Sequence, residues 1–335
     1  MGLSAAIYGL SGQELTGEER AFIREAEPWG FILFQRNCAS RVQVRSLTDD
    51  LRTVTGRAAL PILIDEEGGR VQRLKPPEWR KRPAMAAFGT LYAKDAARGI
   101  EGAQLNAQIL AADLAEIGAT VDCVPCLDIP VQGAHDVIGD RAFAKDPVVV
   151  ARLGRIVAET LLEAGLLPVL KHMPGHGRAS VDTHEALPRV STPRADLSKS
   201  DFAPFKALSH LPLAMSAHVI YEAIDETLPA TLSPRIIQEI IRDEIGFGGL
   251  LMTDDLNMKA LSGGIGERAA RAIRAGCDIA LHCNGKLAEM QEVAKAVPDL
   301  EGKSLARAQA AERRIGRGAG ASVAGSERRL AELLA

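Results

Sequence analysis

The sequence predicts an α/β fold, a single-domain (β/α)8 barrel of the TIM type, and three observations carry that prediction. Eight short apolar runs, separated by stretches of helical periodicity, follow one another through the first 285 of 335 residues. The runs are apolar throughout more than they alternate, as parallel strands covered by helices should be. Most of them end on a polar residue: Asp65, Asp128, His172, His218, Asp254 and Asn284. A barrel gathers those strand ends on one face, where its active site lies. An open doubly wound sheet would show the same alternation, but no GxGxxG follows the first run, which weakens a nucleotide-binding version.

The elements read in order as follows. Ala5 to Leu10 is a first strand, and Thr16 with Glu19 forms a capping box for a helix that ends before Pro28. Gly30 to Phe34 is a second strand, followed by a helix with apolar positions Val42, Val44, Leu47, Leu51 and Val54 that stops at Gly56. Leu60 to Ile64 is the third strand and runs into DEEGGRVQRL, residues 65–74. A loop and one long helical stretch to Gly118 lead to TVDCVPCLDIP, a fourth strand ending near Asp128. A helix over Pro147 to Glu163 precedes the fifth strand, 167–170. Leu213 to His218 is the sixth strand, and Ser233-Pro234 is an N-cap and N1 pair for a helix running to Gly246. Gly249 to Thr253 is the seventh, a helix spans Ile265 to Ala275, and CDIALHC (277–283) is the eighth. The expected division is a catalytic barrel over 1–300 and, over 301–335, a helical tail packed on the barrel or trailing from it. From Lys303 that tail carries seven basic and three acidic residues and reads as a solvated helix, not a nucleic-acid arm.

Composition narrows the function classes. Hydrophobic residues at 47% and charged residues at 25% belong to a globular chain. A net charge of -3 gives no bulk attraction to nucleic acid or an anionic membrane. No run approaches the roughly 18 apolar residues of a membrane span, and no signal peptide is visible at the N-terminus. Five cysteines, an odd count, favour reduced thiols and a cytoplasmic address. Cys123 and Cys126 form a CxxC with no second pair at zinc spacing, so no metal and no cofactor is expected there.

The chemistry concentrates in LPVLKHMPGHGRASVDTHEALP, residues 167–188. Three of the seven histidines, His172, His176 and His184, fall within its thirteen positions 172–184, beside Lys171 and Asp182. Titratable groups gathered just past a strand end mark an α/β enzyme site. His184 follows Asp182 by two residues. In an extended segment the two side chains share one side, so the carboxylate can bond one imidazole nitrogen and leave the other to exchange protons. Roughly 28 residues separate the fifth strand from the next helix near Asp201, and so long a structureless loop is usually functional. Its glycines would let it move and bring His184 in on closure.

A carboxylate at the end of a buried strand, as Asp254 is in LLMTDDLNMKA, suits a nucleophile or the counter-charge to a developing cation. It could also merely cap the following helix. Its neighbour Asp255 should point elsewhere. Asp65, Arg70 and Arg73 belong to a Gly-Gly turn after the third strand, where a carboxylate can take two sugar hydroxyls and an arginine offers a fork of donors. Arg141, Lys171 and His172 add donors to a polar ring that suits a small hydroxylated ligand.

DEEGGRVQRL, IGDRAF, KHMPGHGRASVDTHEALP, AMSAHV and GFGGLLMTDDLNMKA stand in this chain in the order of the motifs of glycoside hydrolase family 3. The resemblance spans most of residues 5–285 and is nearest to the family's single-domain bacterial β-N-acetylglucosaminidases of peptidoglycan recycling. The KH-PGHG segment followed by Asp-Thr-His marks that branch. It implies a retaining exo-β-N-acetylglucosaminidase acting on peptidoglycan fragments such as GlcNAc-1,6-anhydro-MurNAc peptides. Asp254 would be the nucleophile, His184 the general acid/base, and Asp182 its partner. Asp65, Arg73, Arg141, Lys171 and His172 would bind the terminal sugar. The implied protein needs no cofactor, binds a saccharide or muropeptide, and is a monomer or weak homodimer. The chain departs from the pattern at Met173, Thr183 and Asn257, where Phe, Ser and Ser are commoner.

Rival readings are a β-glucosidase-like member of the same family, a metal-dependent barrel hydrolase, and a non-catalytic sugar-binding protein. A metal hydrolase would want an early His-x-His, and this chain has Tyr8 and Gly9 after its first strand. A binding protein has no need of Asp254, Asp182 and His184 together.

Overall fold

The computed structural model describes residues 2–316, 318 and 323–335. Its centre is an eight-stranded, all-parallel sheet in which sequence neighbours are spatial neighbours. The strands are β1 (Ser4–Gly9), β2 (Pro28–Leu33), β3 (Ile62–Ile64), β4 (Val121–Asp122), β5 (Leu167–Met173), β7 (Leu213–Ser216), β9 (Leu250–Met252) and β10 (Ala280–His282). β10 pairs in turn with β1, and a parallel bridge from Met252 to Ile279 joins β9 to β10 and closes the barrel. All eight sequence-predicted strands are barrel strands.

Alternate residues of each strand face two different cores. Inward, Ile7, Ile32, Leu63, Val169, Met215, Leu250 and Leu281 fill the barrel. Outward, Tyr8, Phe31, Ile62, Leu170, Leu251 and Ala280 meet the helices. Burial on both faces is why the sequence shows continuous apolar runs. At the N-terminal end of the strands, Ala308 and Ala311 of α10 (Gly302–Glu312) join the inner core. The last helix, α11 (Ser326–Leu334), pairs Arg329 with Glu101 and buries Leu330 and Leu333.

Local signals placed most helices. α1 (Gly17–Ala26) has the full Thr16/Glu19 capping box, and α2 (Arg41–Thr55) ends on Gly56 in the left-handed conformation. α5 (Pro147–Glu163) starts on the Asp146 cap, and α8 (Ile265–Ala275) has the predicted limits. Ser233 accepts the Ile236 N–H at 3.1 Å to begin the wide-turned π helix Ile236–Glu244.

Three expectations needed correction. The long helical stretch before Gly118 is two helices, α3 (Met85–Lys94) and α4 (Ala96–Glu116), because Asp95 turns out of the first and caps the second. The fourth strand loses regular pairing at Asp122, since Pro125 has no N–H to give, though Leu127 still donates to the Lys171 carbonyl at 2.7 Å. The stretch from 174 to 201 also has structure of its own. β6 (Arg189–Val190) pairs in parallel with β8 (Ile220–Tyr221), and α6 (Arg194–Lys199) precedes α7 (Ala203–Ala207). Among the described residues, no helix is long and apolar enough to cross a membrane.

Candidate active site

At the C-terminal ends of the strands lies a pocket of about 450 Å³. All eight residues singled out from the sequence line it: Asp65, Arg73, Arg141, Lys171, His172, Asp182, His184 and Asp254. They come from segments nearly 190 positions apart in the chain, and only barrel closure brings them together.

One wall is a chain of alternating charges. Asp65 follows β3 and accepts from Lys171 Nζ at 2.8 Å and from Arg73 Nη2 at 3.0 Å. Lys171 also reaches Glu67 at 2.6 Å, and Glu67 takes the Arg141 guanidinium in a fork, both bonds 2.9 Å. The order Arg73–Asp65–Lys171–Glu67–Arg141 holds three cations and two anions. Burial alone would raise both carboxyls, but their cationic partners outweigh it, holding Glu67 at about 2 and Asp65 lower still. Burial would likewise strip Lys171 of its proton, and Asp65 and Glu67 keep it charged. Arg73 stacks 5.2 Å from the Phe34 ring and leaves its buried Nε unpartnered.

The turn carrying this wall depends on two glycines. Gly68 and Gly69 both have positive φ, 87° and 59°, and Gly68 and Val71 exchange backbone bonds across the turn. Glu66 is used differently. Its Oε2 accepts the N–H groups of Arg73 and Leu74 at 2.8 and 3.0 Å, and burial raises its carboxyl to about 7.

The floor is Asp254, two residues past the end of β9 and 7% exposed. Its Oδ1 accepts the Asp255 N–H at 2.8 Å, and its Oδ2 lies 3.9 Å from His172 Nε2. Burial would raise this carboxyl, but His172, His218 and the Asp255 N–H together hold it below the ordinary aspartate value. Asp255 turns away, as expected. Its Oδ1 accepts from the N–H groups of Asn257 (3.0 Å) and Cys283 (3.3 Å), and burial raises it to about 6. His218 donates from Nε2 to the Asp255 carbonyl at 3.0 Å, so its Nδ1 accepts the Thr231 hydroxyl at 2.7 Å; burial lowers its pKa.

His184 and Asp182 stand on the loop after β5. Nδ1 of His184 lies 2.9 Å from Asp182 Oδ1, and Nε2 has no partner among the described residues. The dyad does not form through an extended segment. Asp182 opens a tight turn, its carboxylate accepting the His184 N–H at 2.9 Å while its carbonyl accepts from Glu185 and Ala186. An Asx turn folds the ring back over its own carboxylate. The His184 side chain is 66% exposed, in contrast to the buried wall and floor. The loop root is tied down where Tyr221 donates its hydroxyl to the Gly175 carbonyl, and Gly177 passes so close to Ile129 that a Cβ would lie 2.0 Å from the Ile129 oxygen.

Sequence reasoning gave no role to Glu67 or to Asp128. For Glu67 a signal existed: residues 65 and 67 share one side of an extended segment, so the acid that pairs Lys171 from Asp65 has a twin. Arg70, in contrast, turns to Asp136 and Asp140 at the rim. Among the described residues, one group, Cys126, Asp128 and His172, brings possible metal-donor atoms within 4.8 Å of one another. The Asp128 oxygens are already filled by N–H donors, and burial raises the Cys126 thiol well above its usual value, so the group is built as a hydrogen-bonded knot. The CxxC thiols are free and buried.

A closed (β/α)8 barrel with a carboxylate floor, an ionic wall rich in donors and an exposed imidazole on a loop defines a hydrolase for a small polyhydroxylated ligand. Comparison with known proteins gives the particular class. The glycosyl hydrolase family 3 N-terminal domain matches residues 7–317. A β-hexosaminidase of Bordetella avium is 39% identical over 279 residues, 82% of this chain and 79% of its own length. One from Aromatoleum aromaticum is 36% identical over 312 residues, 92% and 87% of the two chains. The crystal structure of NagZ from Neisseria gonorrhoeae in complex with N-trifluoroacetyl-D-glucosamine superposes with a TM-score of 0.89 at 32% identity, over 100% of this chain and 98% of that one. The chain therefore belongs to glycosyl hydrolase family 3 and is a glycoside hydrolase.

Proposed function

We propose that the protein is a retaining exo-β-N-acetylglucosaminidase that removes terminal non-reducing β-linked GlcNAc, with muropeptide fragments of peptidoglycan as its substrates. The observation that carries the reading is a buried carboxylate, Asp254, at the floor of a donor-lined pocket whose rim holds a carboxylate-oriented imidazole. Asp254 Oδ2 attacks the anomeric carbon as the aglycone oxygen leaves, giving a covalent glycosyl-enzyme. His184, its Nδ1 held by Asp182, protonates that oxygen from Nε2, then takes a proton from the incoming water in the second step. Two displacements give net retention, with histidine in place of the second carboxylate of the usual scheme. Asp65, Arg73, Arg141, Lys171 and His172 hold the sugar hydroxyls. The exposure of His184 leaves room above the pocket for the aglycone. Five unpaired thiols fit a cytoplasmic address.

The test is hydrolysis of aryl β-N-acetylglucosaminide and aryl β-glucoside by wild type, Asp254→Asn and His184→Ala. The expected result is preference for the N-acetyl substrate and near-complete loss in Asp254→Asn. His184→Ala should lose less on an activated aryl leaving group, which needs little protonation. Wild-type turnover in Asp254→Asn would end the nucleophile assignment, and preference for the glucoside would move the enzyme to the β-glucosidase branch.

A further inference from the structure

We infer that Asp128 is a positioning residue for the hydrolytic reaction: it fixes which nitrogen of His172 carries a proton and which faces the nucleophile. Asp128 lies past the end of β4, is 0% exposed and lines no part of the pocket. Four donors converge on it. Oδ2 lies 2.6 Å from His172 Nδ1 and 3.4 Å from the Cys126 thiol, while Oδ1 accepts the His176 N–H at 2.6 Å and the His172 N–H at 3.2 Å. One carboxylate thereby binds the last turn of β5 and the start of the catalytic loop to the end of the neighbouring strand.

The donor set decides the tautomer. The His172 and His176 backbone N–H groups can only donate, so Asp128 Oδ1 must accept, and the His172 ring, with His176 and its N–H, holds the carboxyl below the ordinary range against the opposing effect of burial. An ionised carboxylate 2.6 Å from Nδ1 requires the proton on Nδ1, whatever the charge of the ring. Nε2 is then the nitrogen turned to the pocket, 3.9 Å from Asp254 Oδ2. In the neutral ring it presents a lone pair that can accept a sugar hydroxyl, and it does not tie up the Asp254 oxygen that reacts. A carboxylate–imidazole pair of this kind works through orientation and tautomer, as carboxylates bonded to the far nitrogen of other functional histidines do.

Asparagine at 128 makes the point testable. Its single carbonyl oxygen must serve one side of the old carboxylate. The backbone N–H groups of His172 and His176 cannot change, whereas the imidazole can move its proton. Asparagine should therefore turn its oxygen to the backbone and its NH2 to Nδ1, forcing the Nε2–H tautomer and aiming that N–H at Asp254.

This inference rests on the reading of Asp254 as nucleophile, and its readouts are separable from that reading. Nitrogen-15 NMR of the histidine rings, with His172 assigned by its loss in His172→Asn, should show a protonated, strongly hydrogen-bonded Nδ1 in wild type and an Nε2–H ring in Asp128→Asn. On aryl β-N-acetylglucosaminide, kcat of Asp128→Asn should fall by roughly 100-fold, with KM changed by less than about threefold, a pattern expected for a wrong tautomer at intact geometry. A wild-type His172 with bare Nδ1 overturns the inference even if the variant fails to fold. So does a tautomer switch in Asp128→Asn with kcat unchanged. Failure of the nucleophile reading would appear instead as full activity in Asp254→Asn, with the ring signals unaltered.

Discussion

Replacing Glu67 by glutamine removes the anion that stands between Lys171 and Arg141, and the structure sets the size of the effect. Glu67 is 1% exposed, receives two guanidinium bonds and lies 2.6 Å from Lys171 Nζ. Its carboxyl is depressed from 4.5 to about 2. At 1.36 kcal/mol per pH unit that depression corresponds to about 3 kcal/mol, at the lower end of the roughly 3–5 kcal/mol lost when a buried pair is broken from one side. For 335 residues, with about 2.1 cal/mol/K per residue of unfolding entropy, the melting temperature should fall by about 4 °C at pH 7. The folded value lies below the unfolded one, so this stability is full above pH 4.5 and is lost as the pH falls toward 2. The gap between wild type and variant should therefore shrink to about 1 kcal/mol by pH 3. Calorimetry at pH 7 and pH 3 measures it. On the proposed role of Lys171 and Arg141 as uniform sugar binders, kinetics should show a raised KM with kcat less affected. An unchanged melting temperature at pH 7, or a gap that widens toward pH 3, would refute the reasoning.

Glu66 should behave in the opposite sense. Burial holds its folded pKa at about 7, above the unfolded value, so wild type loses about 3 kcal/mol as the pH rises from 4.5 through 7, and Glu66→Gln should not. The melting temperature of the variant relative to wild type should thus climb by about 4 °C between pH 4.5 and pH 8, and a constant difference would show that Glu66 is not the titrating group. Gly177→Ala puts a methyl 2.0 Å from the Ile129 oxygen and 2.3 Å from its carbonyl carbon. The loop root must shift, at a cost of about 1–3 kcal/mol, and thermal melting with parallel turnover should show both stability and activity reduced. A variant of wild-type stability would mean that the two loops separate freely.

The division of labour between sequence and tertiary structure follows from range. Signals that act within a few residues were legible: the Thr16/Glu19 box, the Gly56 stop, Pro147 at a helix start, and strands apolar on both faces. Asp95, itself a local signal, was missed because the helical periodicity continues on both sides of it. The eight residues nominated from motif order all line the pocket, since a parallel barrel with helical crossovers sends every strand's C-terminal end to the same face. Partners were not legible. Glu67 meets Arg141 across 74 positions, and Asp128 meets His172 across 44. Which of several buried acids is ionised depends on those partners: Asp65 and Glu67 are held low by cations, whereas Glu66 between them is raised by burial. The turn that closes the Asp182–His184 dyad was likewise misread as extended, because the same two residues bond equally well in either geometry. Thus the sequence by itself determined the fold, the face and the residue types of the site. Tertiary structure alone decided the charge state and orientation of each group, because both depend on through-space contacts and solvent exclusion that no local pattern encodes.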